Sequence, residues 1–283
     1  MRRTLLLGIV VAASLAWVDV TTAQQSSDDF RWTGQIARGK SLEIKGVNGP
    51  IKASVASGSQ VEVLAHKHAR RSDSASVRFD VVEHDGSVTI CAVYPTPVRY
   101  SGYTSRNFFR RFSGDDNQGP NECKPGNEGR MNVNNNDVNV DFDIRVPEGV
   151  RLLAQTINGS IDASSLKSDV DAATVNGRIR VSTTGLAWAD TVNGTIDVSM
   201  GAAKWNEPLD FHTVNGGITL ELPKGAAAEL HADTMNGEID SDFPIKVTSS
   251  RHRGRRIVGS IGSGGKELHI STTNGGIRLR AAP

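Results

Sequence analysis

Acidic residues recur at one fixed offset in this chain. Four positions after successive Asn-Gly pairs stand Asp162, Arg180, Asp197, Thr219, Asp240 and Arg278. If those copies stack as strands, neighbours lie about 4.8 Å apart. Carboxylates paired at such a separation could hydrolyse a glycosidic bond. Arg180 falls between Asp162 and Asp197, however. Opposite charges across paired strands stabilise them by a few tenths to about 1 kcal/mol per pair, so the column reads as a ladder without catalysis. Ahead of the Asn-Gly pairs stand Asp169, Asp171, Asp190, Asp210 and Asp233. Calcium needs several oxygens converging on one point. The Gly-Gly-x-Gly-x-Asp signature is absent, and the acids of "DVNVDFD" (137–143) share a face only loosely.

Seven histidines are present. His66 and His68 share one face of a strand-like run. His231 and His269 stand five residues before their Asn, and His212 stands three before its own. Zinc needs three or four converging ligands, so these read as scattered surface side chains. There is no Gly-x-Ser-x-Gly elbow, His-Glu-x-x-His helix or phosphate loop. No residue is assigned a catalytic, cofactor-binding or metal-binding role, and no cofactor is expected.

Two cysteines, Cys91 and Cys123, lack the Cys-x-x-Cys spacing of a redox pair. They are expected to form one structural disulfide. Two candidate binding stretches remain. "RHRGRR" (251–256) offers Arg251, Arg253, Arg255 and Arg256 to an anionic polysaccharide, lipid head groups or nucleic acid by charge, and such binding would weaken with salt. "FFRRF" (108–112) offers Phe108, Phe109 and Phe112 as a sticky loop. The plainer readings are a solvated loop for the first and a cover for a sheet end or edge for the second.

The chain opens with Arg2-Arg3, an apolar stretch from Leu5 to Ala16, and Thr21-Thr22-Ala23. This is the pattern of a secretory signal peptide over residues 1–23. Its removal leaves 30 of the 32 basic and 30 of the 31 acidic residues. A neutral chain gives no argument for nucleic acid. No later apolar run is long enough to span a membrane as a helix. Export to the periplasm or cell surface is expected.

The elements that position these side chains come from an internal repeat. Asn-Gly-x-Ile occurs at Asn48-Gly49, Asn158-Gly159, Asn176-Gly177, Asn193-Gly194, Asn215-Gly216, Asn236-Gly237 and Asn274-Gly275. From Asn158 to Asn236 the steps are 18, 17, 22 and 21 residues, and the next is 38. "IVGSI" (257–261) falls in that wider gap as a degenerate copy, with Val258 in the Asn slot. Thr stands two before the Asn in six copies. Apolar residues occupy alternate positions: Leu152 and Ala154 before the pair, Ile161 and Ala163 after it, and their equivalents. Period-two alternation means strands with one buried face. Asn and Gly tolerate positive φ, so each copy reads as strand, corner, strand.

Two architectures satisfy that parity, a meander of hairpins and a β-solenoid. The solenoid is favoured because the residue before Asn is apolar in five of the six later copies, which a corner accommodates better than a hairpin. The expected fold is therefore all-β, a β-solenoid of about six to eight coils. The divisions are 24–98, an N-terminal β region; 99–137, an irregular insertion; and 138–283, the repeat solenoid.

"TINGSI", "TVNGRI", "TVNGTI", "TVNGGI", "TMNGEI" and "GSGGKELHISTTNGGIRL" resemble the bacterial putative-adhesin domain family of unknown function, which is similar in turn to the head domain of putative autotransporter adhesins. The resemblance runs from Leu42 to Leu279, interrupted over Cys91–Asn136. It implies an exported β-solenoid and supplies no catalytic residue to carry over. The expected function is a non-enzymatic, adhesin-like envelope or surface protein binding polysaccharide or a surface protein. The alternatives are a carbohydrate-active enzyme on the same scaffold and a structural spacer or assembly module.

Overall fold

The computed structural model describes residues 22–25, 29–95, 121–126, 129–131, 133, 135–251 and 255–282. Its body is two 11-stranded sheets. Strands that precede Asn-Gly form one sheet and strands that follow it form the other. The pre-corner sheet runs Ile245–Arg251, Arg255–Ile261, Ala228–Asn236, Glu267–Asn274, Leu209–Asn215, Ala187–Asp190, Val170–Ala173, Arg151–Gln155, Ser41–Lys45, Ser87–Val93, Arg78–His84. The post-corner sheet runs Thr22–Gln25, Asp29–Gln35, Gln60–His68, Asn139–Val146, Ile51–Val55, Ile161–Leu166, Ile179–Thr183, Ile196–Met200, Ile218–Leu222, Ile277–Ala281, Ile239–Ser241.

Successive coils pair in parallel and in register, Leu152 on Val170 and Ile161 on Ile179 for example. A meander of hairpins would pair its strands antiparallel, so the parallel ladders identify a β-solenoid. The alternating apolar columns meet between the sheets: Leu152, Ala154, Ile161, Ala163 and their equivalents are almost fully buried, save Ile239 and Ser241 of the end strand, which are half-buried. Similar coils bury such faces only by stacking on one another.

The corners show why the repeat is written as it is. Beyond Asn48, each Asn side-chain amide donates to the Asn of the adjacent coil on the Asn48 side, as from Asn176 Nδ2 to Asn158 Oδ1 at 2.9 Å and from Asn193 Nδ2 to Asn176 Oδ1 at 2.8 Å. Each buried Thr hydroxyl donates to the corner-glycine carbonyl of the neighbouring coil, as from Thr174 Oγ1 to Gly159 O at 2.9 Å. The glycines serve a different purpose from the one expected. Of the corner set only Gly49 has positive φ, at +115°. A Cβ on Gly177 would instead lie 2.0 Å from Gly159 O, and one on Gly194 would lie 1.9 Å from Gly177 O. Close approach of stacked backbones demands Gly here, not the turn conformation. The residue before Asn stays on the outside, half-buried at Ile157, Val175, Val192 and Val214 and exposed at Met235.

Coil order departs from chain order at one end. The Asn ladder runs Asn48, Asn158, Asn176, Asn193, Asn215, Asn274, Asn236. The C-terminal coil is therefore inserted between the coils of Asn215 and Asn236. The segment "IVGSI" is not a coil. Val258 lies in the straight strand Arg255–Ile261, antiparallel to Ala228–Asn236 and opposite His231. The wide gap holds an antiparallel pair of strands in place of a corner.

At the other end the antiparallel strands Asp29–Gln35, Gln60–His68 and Arg78–His84 close the core with aromatic rings. Phe30 stacks on Phe79 at 4.5 Å, and Phe142 meets Phe79 edge-on at 6.1 Å. Lys67, buried, caps this plug by donating to Val77 O at 3.0 Å.

Candidate functional site

The charged column becomes one continuous row across the outer face of the post-corner sheet. In register, one residue per strand, it reads Arg31, Leu64, Asp143, Lys52, Asp162, Arg180, Asp197, Thr219, Arg278, Asp240. The inserted C-terminal coil places Arg278 between Thr219 and Asp240, so charges alternate almost without break. Arg180 and Asp162 lie 3.8 Å apart. Asp162 and Asp197 are kept on either side of Arg180, which accounts for the row as electrostatic support of strand pairing.

At the aromatic-capped end this row runs into a trough of about 560 Å³. Outward-facing Asp29, Arg31, Lys52, Leu64, His66, Asp141 and Asp143 line it, with Pro50 at the corner. His66 sits between Asp29 and Asp141 on adjacent strands, and its Nδ1 lies 2.6 Å from Asp29 Oδ1. Leu64 is one of three exposed large apolar side chains among the described residues. The trough thus joins an apolar centre to both signs of charge, an arrangement suited to a polar ligand with a hydrophobic face. His68 lies outside it, with its ring 6.1 Å from that of His66.

The pre-corner sheet brings a second pair of histidines together. His231 and His269 are register partners with rings stacked at 4.8 Å. His269 Nε2 lies 2.9 Å from Glu267 Oε2. That hydrogen bond and the charge of His269 hold Glu267 below the usual carboxylate range. His212 stands apart, with Nδ1 2.7 Å from Ser271 Oγ. Among the described residues no group of three or more His, Cys, Asp or Glu side chains is arranged to hold a metal ion.

A buried polar cluster on the same sheet is not evident in the repeat. Glu43 and Lys45 occupy outward positions of the first coil, yet both side chains are buried and lie 3.5 Å apart. Glu43 Oε2 accepts from Thr89 Oγ1 at 2.8 Å and from Gly126 N at 3.0 Å. Lys45 Nζ donates to the carbonyls of Lys124 and Gly126. Cys91 and Cys123 are bonded, with Cα atoms 5.7 Å apart. Residues 122–126 therefore lie over the outer face of Ser41–Lys45 and Ser87–Val93 and reach the edge strand Arg78–His84 through Cys123, while Asn136 and Asp137 bond to Ser76 and Ser72. The available signal was Cys91 itself, an outward position beside Lys45.

The basic stretch is partly placed. Arg255 pairs with Glu238 at 3.1 Å and Arg256 with Asp233 at 3.4 Å, so both tie Arg255–Ile261 to the last coil. Arg251 ends the strand Ile245–Arg251. Arg253, Phe108, Phe109 and Phe112 lie outside the described residues, as does the expected leader up to residue 21. Among the described residues no helix is long and apolar enough to cross a membrane.

A family model described as Toastrack DUF4097 matches residues 125–280, more than half of the chain. No curated protein matches the chain significantly. The solved structure of a putative cell adhesion protein from Clostridium sporogenes is similar at 10% identity and a TM-score of 0.44, over 92% of this chain and 100% of that one. That of a putative adhesin from Bacteroides fragilis is similar at 11% identity and a TM-score of 0.26, over 90% and 98%.

Proposed function

We propose, because this chain belongs to the Toastrack DUF4097 family, that it is an exported, non-enzymatic, adhesin-like protein of the cell envelope or surface. The solenoid would act as a rigid support for a binding face. The trough beside Leu64 carries this reading: a concave, mixed-charge site of about 560 Å³ on the outer face of the post-corner sheet. Its charged side chains stand on strands rather than loops, so little ordering entropy is lost when a ligand engages them. The Cys91–Cys123 bond supports a location outside the reducing cytoplasm.

The ligand class proposed is an envelope or extracellular polysaccharide. Hydroxyls would bond Asp29, Asp141 and Asp143, an apolar sugar face would cover Leu64, and Arg31 and Lys52 would meet any acidic substituent. The test is binding of the mature protein to a panel of such polysaccharides, with released sugar quantified. Saturable binding without release, lost in Leu64→Glu and Lys52→Glu, is the expected result. Sugar release would refute the non-enzymatic reading. Absence of binding throughout would favour a spacer or assembly module.

A further inference from the structure

The two ends of the solenoid are finished differently. The end near Asn48 is closed by the Phe30–Phe79–Phe142 plug. At the Asn236 end the pre-corner sheet continues two strands past the last coil, Arg255–Ile261 and then Ile245–Arg251. The post-corner sheet stops at Ile239–Ser241. The result is a step about two strands, or roughly 10 Å, high.

Among the described residues both margins of the step are open. Ile277 N donates to Glu238 O, and Asp242 N donates to Leu279 O. Residues 238, 240 and 242 thus turn their peptide groups toward Ile277–Ala281. By the alternation of a parallel ladder, those of Ile239 and Ser241 face the open side. On the overhang, Ile245, Val247 and Ile257 lie on the inward face, continuous with Ala228, Leu230 and Ala232. No strand of the post-corner sheet stands opposite them among the described residues. Val247 is 55% exposed, one of the three exposed large apolar side chains among the described residues. Phe243, buried, seals the core beneath.

We propose that this step is the interface with a second copy of the same chain, joined end to end across a two-fold axis. The two strands of a coil run in opposite senses, because the chain must return. A half-turn about an axis between the sheets and parallel to the strands reverses the stacking direction. It also exchanges the sheet planes and preserves strand sense. The overhang of one copy then continues into the short sheet of the other. Ile245–Arg251 comes to lie antiparallel to the partner's Ile239–Ser241, and the same joint forms twice, as an isologous contact requires.

Charge selects this occupant. In the register that sets Ile239 against Val247 inside the joint, Asp240 meets Lys246 on the outer face. The alternating row that ends Arg278, Asp240 is thereby continued by a cation. Pairing two Ile239–Ser241 edges directly would instead oppose Asp240 to Asp240, which is disfavoured. Covering the step also removes two unpaired sheet edges.

The test is sedimentation equilibrium of the mature protein alongside D240K, K246E and the double charge exchange, with circular dichroism confirming each fold. A dimer is expected, weakened at least about tenfold in each single variant and restored in the double variant. A wild-type protein that is monomeric across the concentration series would overturn the proposal. So would a dimer indifferent to both single variants, or one that the double exchange does not restore. A monomer that captures an added peptide of alternating apolar and basic residues would also overturn it, in favour of a foreign strand.

Discussion

Gly194→Ala isolates the close approach of coils from every other property of the corner. Gly194 does not have positive φ, so alanine brings no backbone strain. Its Cβ would stand 1.9 Å from Gly177 O and 2.6 Å from Gly177 C. Restoring even a 3.0 Å contact requires the corner to open by about 1.1 Å. That motion is opposed by the bond from Gly177 N to Asn193 O at 3.0 Å. It is opposed equally by the one from Thr191 Oγ1 to Gly177 O at 3.2 Å and by the Asn193–Asn176 amide bond at 2.8 Å. Each such bond contributes about 1 kcal/mol net, and a buried hydroxyl left unpaired costs about 1–3 kcal/mol. The expected destabilisation is roughly 3–5 kcal/mol, a large fraction of a typical domain's stability. Gly58→Ala is the control, since its Cβ would meet nothing within 4 Å and its φ is ordinary; its effect should stay within about 0.5 kcal/mol. Urea denaturation followed by far-ultraviolet circular dichroism measures both. Equal midpoints for the two variants would refute the argument that interlayer contact, rather than turn geometry, selects Gly.

Three other perturbations act at the Asn48 end. Replacing Cys91 and Cys123 by Ser should lower stability by about 3–4 kcal/mol on the loop-entropy model for a 32-residue separation, and proteolysis should then begin within 121–131. Lys45→Met should cost about 3–5 kcal/mol by leaving Glu43 buried without its partner; adding Glu43→Gln should recover part of that in the same denaturation assay. Asp137 is held below the usual carboxylate range by hydrogen bonds from Ser72 and then Arg71. A depressed folded pKa adds stability above the unfolded value of about 3.9, and this is lost as pH falls through the folded one. Asp137→Asn should therefore lower the neutral plateau of the stability–pH curve while leaving the acid end nearly unchanged, so that the fall between them flattens.

The strand–corner–strand unit was legible because a solenoid writes each structural demand once per coil. The Thr column, the Ile column and the buried alternation each answer to a contact between neighbouring coils, so six or seven copies display the same constraint. What happens once leaves no such trace. Glu43 and Lys45 occupy outward columns that hold half-exposed Leu153, Asp171, Gln155 and Asp190 but also buried Trp188 and Ala173 in other coils, and here a loop about 80 residues away covers them. The trough near Leu64 forms where antiparallel Gln60–His68 and Asn139–Val146 join the coils, and these strands lack the repeat motif. His231 and His269 were readable as equivalent columns, but their direct contact depends on "IVGSI" not forming a coil between theirs. The purpose of Gly was misassigned because Asn-Gly is also a turn signal, and sequence does not separate a positive φ from a missing Cβ.

The inverted order of the last two coils is a consequence of that same column equivalence. Leu230, Ala232 and Thr234 of the Asn236 coil match Leu268, Ile270 and Thr272 of the Asn274 coil position for position. Each set therefore satisfies the stacking rules of the Asn215 coil. Nothing local prevents Ala228–Asn236 from docking directly on Leu209–Asn215 before the C-terminal strand is available. In the native chain the C-terminal coil holds that place, with side-chain amide bonds to Asn215 and to Asn236 at 2.8 Å each. A chain ending at residue 265 removes the competitor. The Asn236 coil should then slip one rung and stack on the Asn215 coil. Cysteines in place of Thr219 and Asp240 report this. They are two rungs apart in the full chain, roughly 9.6 Å, too far for a disulfide. They become direct neighbours after the slip, at about 4.8 Å. Mild oxidation should cross-link them in the truncated chain alone. No cross-link in either chain would mean that the columns are not interchangeable, and that loop geometry fixes coil order.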